Sequence, residues 1–267
     1  MCERMDNLAE ELISYELDGP IALIGINRPA KRNALNSATV NALIKAAERA
    51  GREAKAGVIF GHGENFSAGL DLVEIGEKRK NGVSDSEKLD RHEGHLGFDV
   101  IARGRIPFVA ALHGAVIGYG LELAAAAHIR VADRTAYFGL PEAMRGIFVG
   151  GGGSVRIQKL VGYDCMADMM LTRRILSAEE GYAQRVCRYL VDPGEALAKA
   201  RELAAAIAEN VGLSNWAVCN ILPRMMDLGH DDGFMLEQMS AHYVFGEESQ
   251  ARLDDFAAKR AASLRPA

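Results

Sequence analysis

Between Phe108 and Gly153 the chain reads FVAALHGAVIGYGLELAAAAHIRVADRTAYFGLPEAMRGIFVGGGG, and everything else must be organised around that stretch. Gly114, Gly118 and Gly120 break the start of an apolar segment, with Glu122 just inside it. Glu142 follows twenty residues later, succeeded by Gly146 and the run Gly150 to Gly153. An acid in the first turn of an apolar helix is costly to bury unless it is partnered or functional. Two acids, each beside a glycine turn, point to acid–base chemistry next to a site built from backbone N–H groups. Singly, Glu122 also reads as a counter-charge to a helix dipole, and Glu142, after Pro141, as an ordinary surface acid.

With 267 residues the chain suits one large domain, or a domain with an accessory section. A formal charge of −5 argues against a general nucleic-acid binder. The most apolar window, Val109 to Ala127, is interrupted by His113, three glycines and Glu122, which is a core pattern and not a membrane span. The N-terminus, MCERMDNLAEELISYEL, lacks the basic-then-apolar layout of a signal peptide. Cys2, Cys165, Cys187 and Cys219 lie far apart, as reduced thiols do, and none of the seven histidines is spaced as a metal ligand. A cytoplasmic protein follows, with neither membrane nor nucleic acid as partner.

Taken in order, Leu12 to Leu17 and Ile21 to Ile26 form a hairpin around Asp18-Gly19. A polar loop with adjacent cations, Lys31 and Arg32, leads to a helix capped by Asn36 or Ser37. Its apolar face is Val40, Leu43, Ile44 and Ala47, and Gly51 ends it. Gly57 to Gly61 is a buried strand, followed by a loop of small residues at Phe66 to Leu72. From Glu74 to His95 the sequence is strongly charged and reads as a solvated connection or a lid. Strand, glycine loop and helix recur over Gly57 to Glu74, Phe108 to Ala127 and Ile129 to Leu160, the outline of a staggered ββα repeat. After residue 195 helical periodicity takes over at Glu195 to Glu209, Asp232 to Phe245 and Glu247 to Ser263. The chain therefore divides into a core, 1–194, and a helical section, 195–267, whose Met and aromatic residues suggest a packing surface.

The blocks FSAGLDL (Phe66 to Leu72), HGAVIGYGLELA (His113 to Ala124) and FGLPE with VGGGGS (Phe138 to Ser154) resemble the signature blocks of the crotonase, or enoyl-CoA hydratase/isomerase, family. NRPAKRNALN (Asn27 to Asn36) and FAAKR (Phe256 to Arg260) resemble it as well, so the likeness covers nearly the whole chain.

The resemblance implies an α/β fold, a crotonase-like spiral of ββα repeats closed by a C-terminal helical trimerisation section. It also implies an acyl-CoA thioester substrate and an oxyanion hole from the amides of Leu70 and Tyr119. Glu122 and Glu142 become the catalytic acids, with Gly150 near the attacking water. Ala68, Asp71 and Leu72 border the substrate, and Lys31, Arg32 and Lys259 grip the CoA phosphates. Two positions depart from the family pattern. Tyr119 replaces a glycine or alanine, and Val149 replaces a proline, and both could reshape the acyl pocket.

The implied reaction is hydration of a 2-enoyl-CoA by way of an enolate, with no metal or redox cofactor. Other reactions on the same frame are aromatic hydratase-lyase, isomerase and hydrolase chemistry. An idle acyl-CoA-binding subunit is an alternative of another class. The implied assembly is a homotrimer or a dimer of trimers.

Overall fold

A computed structural model describes residues 12–80 and 93–258. The turn at Asp18-Gly19 joins β1 (Ile13–Asp18) to β2 (Ile21–Ile26) as the expected antiparallel hairpin, with Ile13 opposite Ile26. Asn36 then caps α1 (Ser37–Glu53), its Oδ1 accepting from Thr39 N at 2.9 Å. The helix runs through Gly51, where its end was expected. A helical glycine costs about 1 kcal/mol relative to alanine, less than burial of Val40 and Leu43 on the same helix contributes.

β3 (Ala56–Gly61) follows, then α2 (Leu72–Lys80) and α3 (Glu93–Ala102). The charged stretch from Glu74 to His95 is thus helical at both ends, a correction to its reading as a connection; residues 81–92 lie outside the described residues. Phe98 and Ile101 anchor α3 in the core, a tertiary effect that local charge conceals. Next come β4 (Phe108–Leu112), β5 (Ala115–Ile117), α4 (Tyr119–Ala126), β6 (Ile129–Asp133), β7 (Tyr137–Gly139), α5 (Gly153–Thr172), α6 (Ala178–Ala183) and β8 (Tyr189–Val191).

Six strands make the main sheet in the order β1-β2-β3-β4-β6-β8, parallel except for β1. Side chains alternate across it, as the two-residue period of a strand requires. Ala22, Ile24 and Ile26 face the cluster that holds α1, whereas Ile21 and Leu23 face the other side. That other side is covered by α7 (Ala196–Ala208), whose Ala196, Ala200, Ala204 and Ala208 recur every four residues and pack with Val58, Val109 and Val131. With both faces covered, all six residues of β2 are buried, as parallel sheets require.

β5 and β7 pair in parallel in a second, smaller sheet, Val116 beside Phe138 and Ile117 beside Gly139. Single bridges extend that row to Ser67 on one side and Leu176 on the other. β4 and β6 are each followed by a short strand of the second row and then by a helix, and β3 by the Ser67 bridge and α2, which is the expected ββα repeat. The helices α8 (Gly212–Asn220), α9 (Leu222–Met225), α10 (His230–Tyr243) and α11 (Glu247–Ala257) complete the described chain. The first two of these four were not anticipated, and α10 leaves Phe234, Met235, Met239 and Tyr243 exposed. Among the described residues no helix is long and apolar enough to cross a membrane.

Candidate active site

The second sheet decides what meets at the site. Parallel pairing of Ile117 with Gly139 makes β5 and β7 end together, and Gly118 N donates to Gly139 O at 2.8 Å. Whatever follows each strand emerges at the same place. After β5 that is α4 with Glu122 in its first turn; after β7 it is Leu140, Pro141 and Glu142. The Ser67 to Val116 bridge brings Ala68, Gly69 and Leu70 alongside by the same logic.

Glu122 is 1% exposed. It reaches the N-terminus of α5, where its Oε2 accepts from Gly151 N at 2.7 Å and Gly153 N at 2.8 Å, and its Oε1 from Gly150 N at 3.3 Å. A helix N-terminus suits an anion because its first N–H groups have no partner within the helix. Burial raises the Glu122 pKa, while the three amides and the charge of Arg156 act against that rise.

Glu142 is 5% exposed, and its Oε2 is buried without a hydrogen-bond partner. Burial, with the charge of Glu122 in the same direction, pushes its carboxyl up to about 7 from an ordinary 4.5. The reading of this acid as a surface group is overturned. Gly118 admits the carboxylate: its φ is +55°, and a Cβ there would stand 2.6 Å from Glu142 Oε1.

Two backbone segments meet beside the acids. Leu35 N donates to Gly69 O at 2.7 Å and Asp71 N to Leu35 O at 3.0 Å, so the strand geometry turns the N–H of Leu70 to the opposite edge. Tyr119 is the first residue of α4, so its N–H lies at the N-terminus of that helix. Gly69, at φ +95°, allows the approach, since a Cβ there would lie 2.7 Å from Ile117 O and 3.5 Å from Tyr119 N. Ala68, Leu70, Ile117, Tyr119, Glu142 and Arg145 border one small cleft.

The Tyr119 side chain belongs to the core cluster. It is 4% exposed and packs on Phe98, with ring centroids 4.7 Å apart. Val149 is buried in the same cluster, so both departures from the family pattern are absorbed by the core.

Lys31 and Arg32 lie exposed on a short 3-10 turn, and Arg32 Nη2 donates to the Tyr137 hydroxyl at 2.7 Å. Ala68 N donates to Arg32 O at 2.9 Å, which ties the cation loop to the Leu70 loop. Asp71 forms an ion pair with Arg28 at 3.0 Å, and Arg28 Nη1 also donates to Ala34 O. Leu72, the first residue of α2, is 40% exposed. Lys259 lies outside the described residues.

Sequence reasoning missed three contributors. Arg28 finds its partner 43 residues away. Asn33, buried at φ +55°, donates its Nδ2 to His62 O at 2.9 Å and Asn65 O at 2.6 Å. Arg156 sits against the glycine turn that holds Glu122. Long-range partners leave no local pattern, although a cation close to a helix N-terminus was a visible anomaly. Among the described residues no group of three His, Cys, Asp or Glu side chains could hold a metal ion.

The sequence model of the enoyl-CoA hydratase/isomerase family matches residues 16–265. Enoyl-CoA hydratase EchA19 of Mycobacterium tuberculosis is 30% identical over 256 residues, covering 94% of this chain and 95% of the relative. A solved structure from Rhodopseudomonas palustris CGA009, provisionally named an enoyl-CoA hydratase, is 43% identical with a TM-score of 0.87, over 93% of this chain and 95% of its own. Enoyl-CoA hydratase from Thermoplasma volcanium GSS1 is 29% identical with a TM-score of 0.83, over 92% and 97%. The match runs along almost the full chain, and this protein belongs to the enoyl-CoA hydratase/isomerase family.

Proposed function

We propose that this chain is an enoyl-CoA hydratase, adding water across the 2,3 double bond of a 2-enoyl-CoA thioester. The observation that carries the reading is the pair of buried carboxylates with opposite surroundings. Glu122 accepts three amide hydrogen bonds, which favour its ionised form, while Glu142 has a partnerless buried oxygen, which favours its protonated form. Hydration needs such a division: one group takes a proton from water while the other gives one to carbon. The relatives named as enoyl-CoA hydratases support the same reading.

In the reaction, water oxygen bonds to C3, the C=C electrons move toward the thioester, and negative charge gathers on its oxygen. The Leu70 and Tyr119 amides form the oxyanion hole for that enolate, each donor contributing about 3 kcal/mol in a site shielded from water. Glu122 receives the water proton, and Glu142 delivers its proton to C2. Proton exchange between the pair and solvent restores the starting state. Every electron and proton in these steps is supplied by water, substrate and two carboxyls, so the reaction as written calls for no metal or redox cofactor.

Lys31 and Arg32 sit where a CoA phosphate chain could meet them, next to the Leu70 loop. The exposed apolar faces of α5 and α10, with Tyr163, Leu171, Phe234 and Met239, support a trimer or a dimer of trimers, and free thiols at Cys165, Cys187 and Cys219 suit a reducing cytoplasm.

The deciding experiment follows loss of the conjugated-thioester absorbance with purified short, long and aromatic 2-enoyl-CoA esters. Formation of the 3-hydroxyacyl-CoA, abolished in Glu122→Gln and Glu142→Gln, is the expected result. Aldehyde plus acetyl-CoA would establish a lyase instead, and binding without turnover an idle acyl-CoA subunit.

A further inference from the structure

Gly151 is held from two sides. Its N–H donates to Glu122 Oε2 at 2.7 Å, and its carbonyl accepts from Arg156 Nη2. Arg156 Nη1 in turn meets Asp99 Oδ1 of α3 at 3.2 Å. Those contacts fix the backbone of Gly151 on both flanks, and with it the direction of the amide that grips the carboxylate.

The placement of Arg156 breaks two ordinary preferences. It lies in the first turns of α5, where a cation opposes the helix dipole. Its Nε is buried and has no hydrogen-bond partner. Local violations of this kind concentrate where another requirement overrides them. The requirement visible here is the buried negative charge of Glu122 at the same helix end. Phe98, the neighbour of Asp99, packs on Tyr119, so α3 braces both the glycine turn and the first residue of α4.

We propose that Arg156 is a positioning residue for Glu122: it locks the Gly151 backbone and supplies the buried counter-charge for that carboxylate, with Asp99 orienting the guanidinium. The inference rests on Glu122 acting in the hydration reaction. Among the described residues the charged groups facing this cluster are Arg156 from α5, Asp99 and Arg103 from the α3 side, and Glu142 with Arg145 beyond β7. Of these, Arg156 favours the ionised form of Glu122. Removing its charge therefore raises the Glu122 pKa further, and the acidic limb of the pH–rate profile moves to higher pH.

The test measures kcat, KM and the pH dependence of kcat/KM with crotonyl-CoA for the full-length wild type, Glu122→Gln, Arg156→Met, Arg156→Lys and Asp99→Asn, with thermal melts of each. For Arg156→Met we expect kcat to drop about 10- to 100-fold, the scale on which small misplacements of a catalytic group act, with little change in KM and an acidic limb displaced upward. Arg156→Lys keeps the charge and should leave the limb in place while losing part of kcat. Asp99→Asn should show the same pattern as Arg156→Lys, more weakly. An Arg156→Met protein with an unmoved limb overturns the proposal, whether its kcat is normal or falls only in step with its melting temperature. Should Glu122→Gln itself turn over crotonyl-CoA normally, the hydratase assignment of Glu122 fails first, and that outcome is distinguishable from failure of the Arg156 role.

Discussion

A Cβ on Gly118 would stand 2.6 Å from Glu142 Oε1, so the glycine at the mouth of α4 and the acid beyond β7 occupy one shared space. Gly118 also has φ +55°, which penalises any side chain. Gly118→Ala should destabilise the fold by about 1–3 kcal/mol and displace Glu142, so that hydration falls by more than the loss of folded protein. Denaturant midpoints and kcat on the same preparation check this; unchanged turnover in folded Gly118→Ala protein would contradict the geometry.

The two acids should respond differently to amide substitution. Glu142→Gln keeps the shape of a largely protonated carboxyl, and kcat should fall about 10²- to 10⁴-fold with a fold at least as stable as wild type. Glu122→Gln places an NH₂ donor against a cluster of three amide donors, so it should lose activity and stability together. Thermal melts alongside kcat separate the two cases.

Linkage gives a pH signature for Glu142. Its folded pKa, about 7, lies above its ordinary 4.5, so the folded state binds the proton more tightly than the unfolded chain does. Stability from this group is full below pH 4.5 and declines as pH rises through 7. The difference in melting temperature, Glu142→Gln minus wild type, should therefore grow more positive between pH 5 and pH 8, on the order of 2–3 kcal/mol in stability. A flat difference across that range would show that Glu142 is not held protonated.

Arg28 and Asp71 flank the Leu70 amide and are mostly buried, at 15% and 17% side-chain exposure. Arg28→Met and Asp71→Asn should each destabilise by about 1–3 kcal/mol, and the double variant should cost less than their sum because the ion pair is shared. A double-mutant cycle by chemical unfolding measures that coupling; strict additivity would show the pair to be incidental.

Assembly provides a further check. Light scattering on the wild type should return a trimer or hexamer mass, and Phe234→Asp with Met239→Asp should reduce it, because both apolar side chains of α10 are more than half exposed. A wild-type monomer would remove the assembly from the proposal.

Much of this protein can be read from its residues alone. Alternation in Leu12 to Leu17, the Asp18-Gly19 turn and the glycine-punctuated run from Phe108 to Gly153 are local patterns, and local patterns determine strands, turns and helix starts. Through the blocks that carry them, the resemblance also nominates the amides of Leu70 and Tyr119 and the acids Glu122 and Glu142 as candidates. What the sequence leaves undetermined depends on contacts between distant segments. The depth of burial of Glu142 comes from the β5–β7 register, the core position of the Tyr119 ring from Phe98 on α3, and the Arg28–Asp71 pair from a loop closing across 43 residues. The same holds for Arg156, whose link to Glu122 runs through the backbone of Gly151. Burial and charge environment are properties of the folded neighbourhood, and a carboxyl's protonation state is decided there, not by its place in the chain.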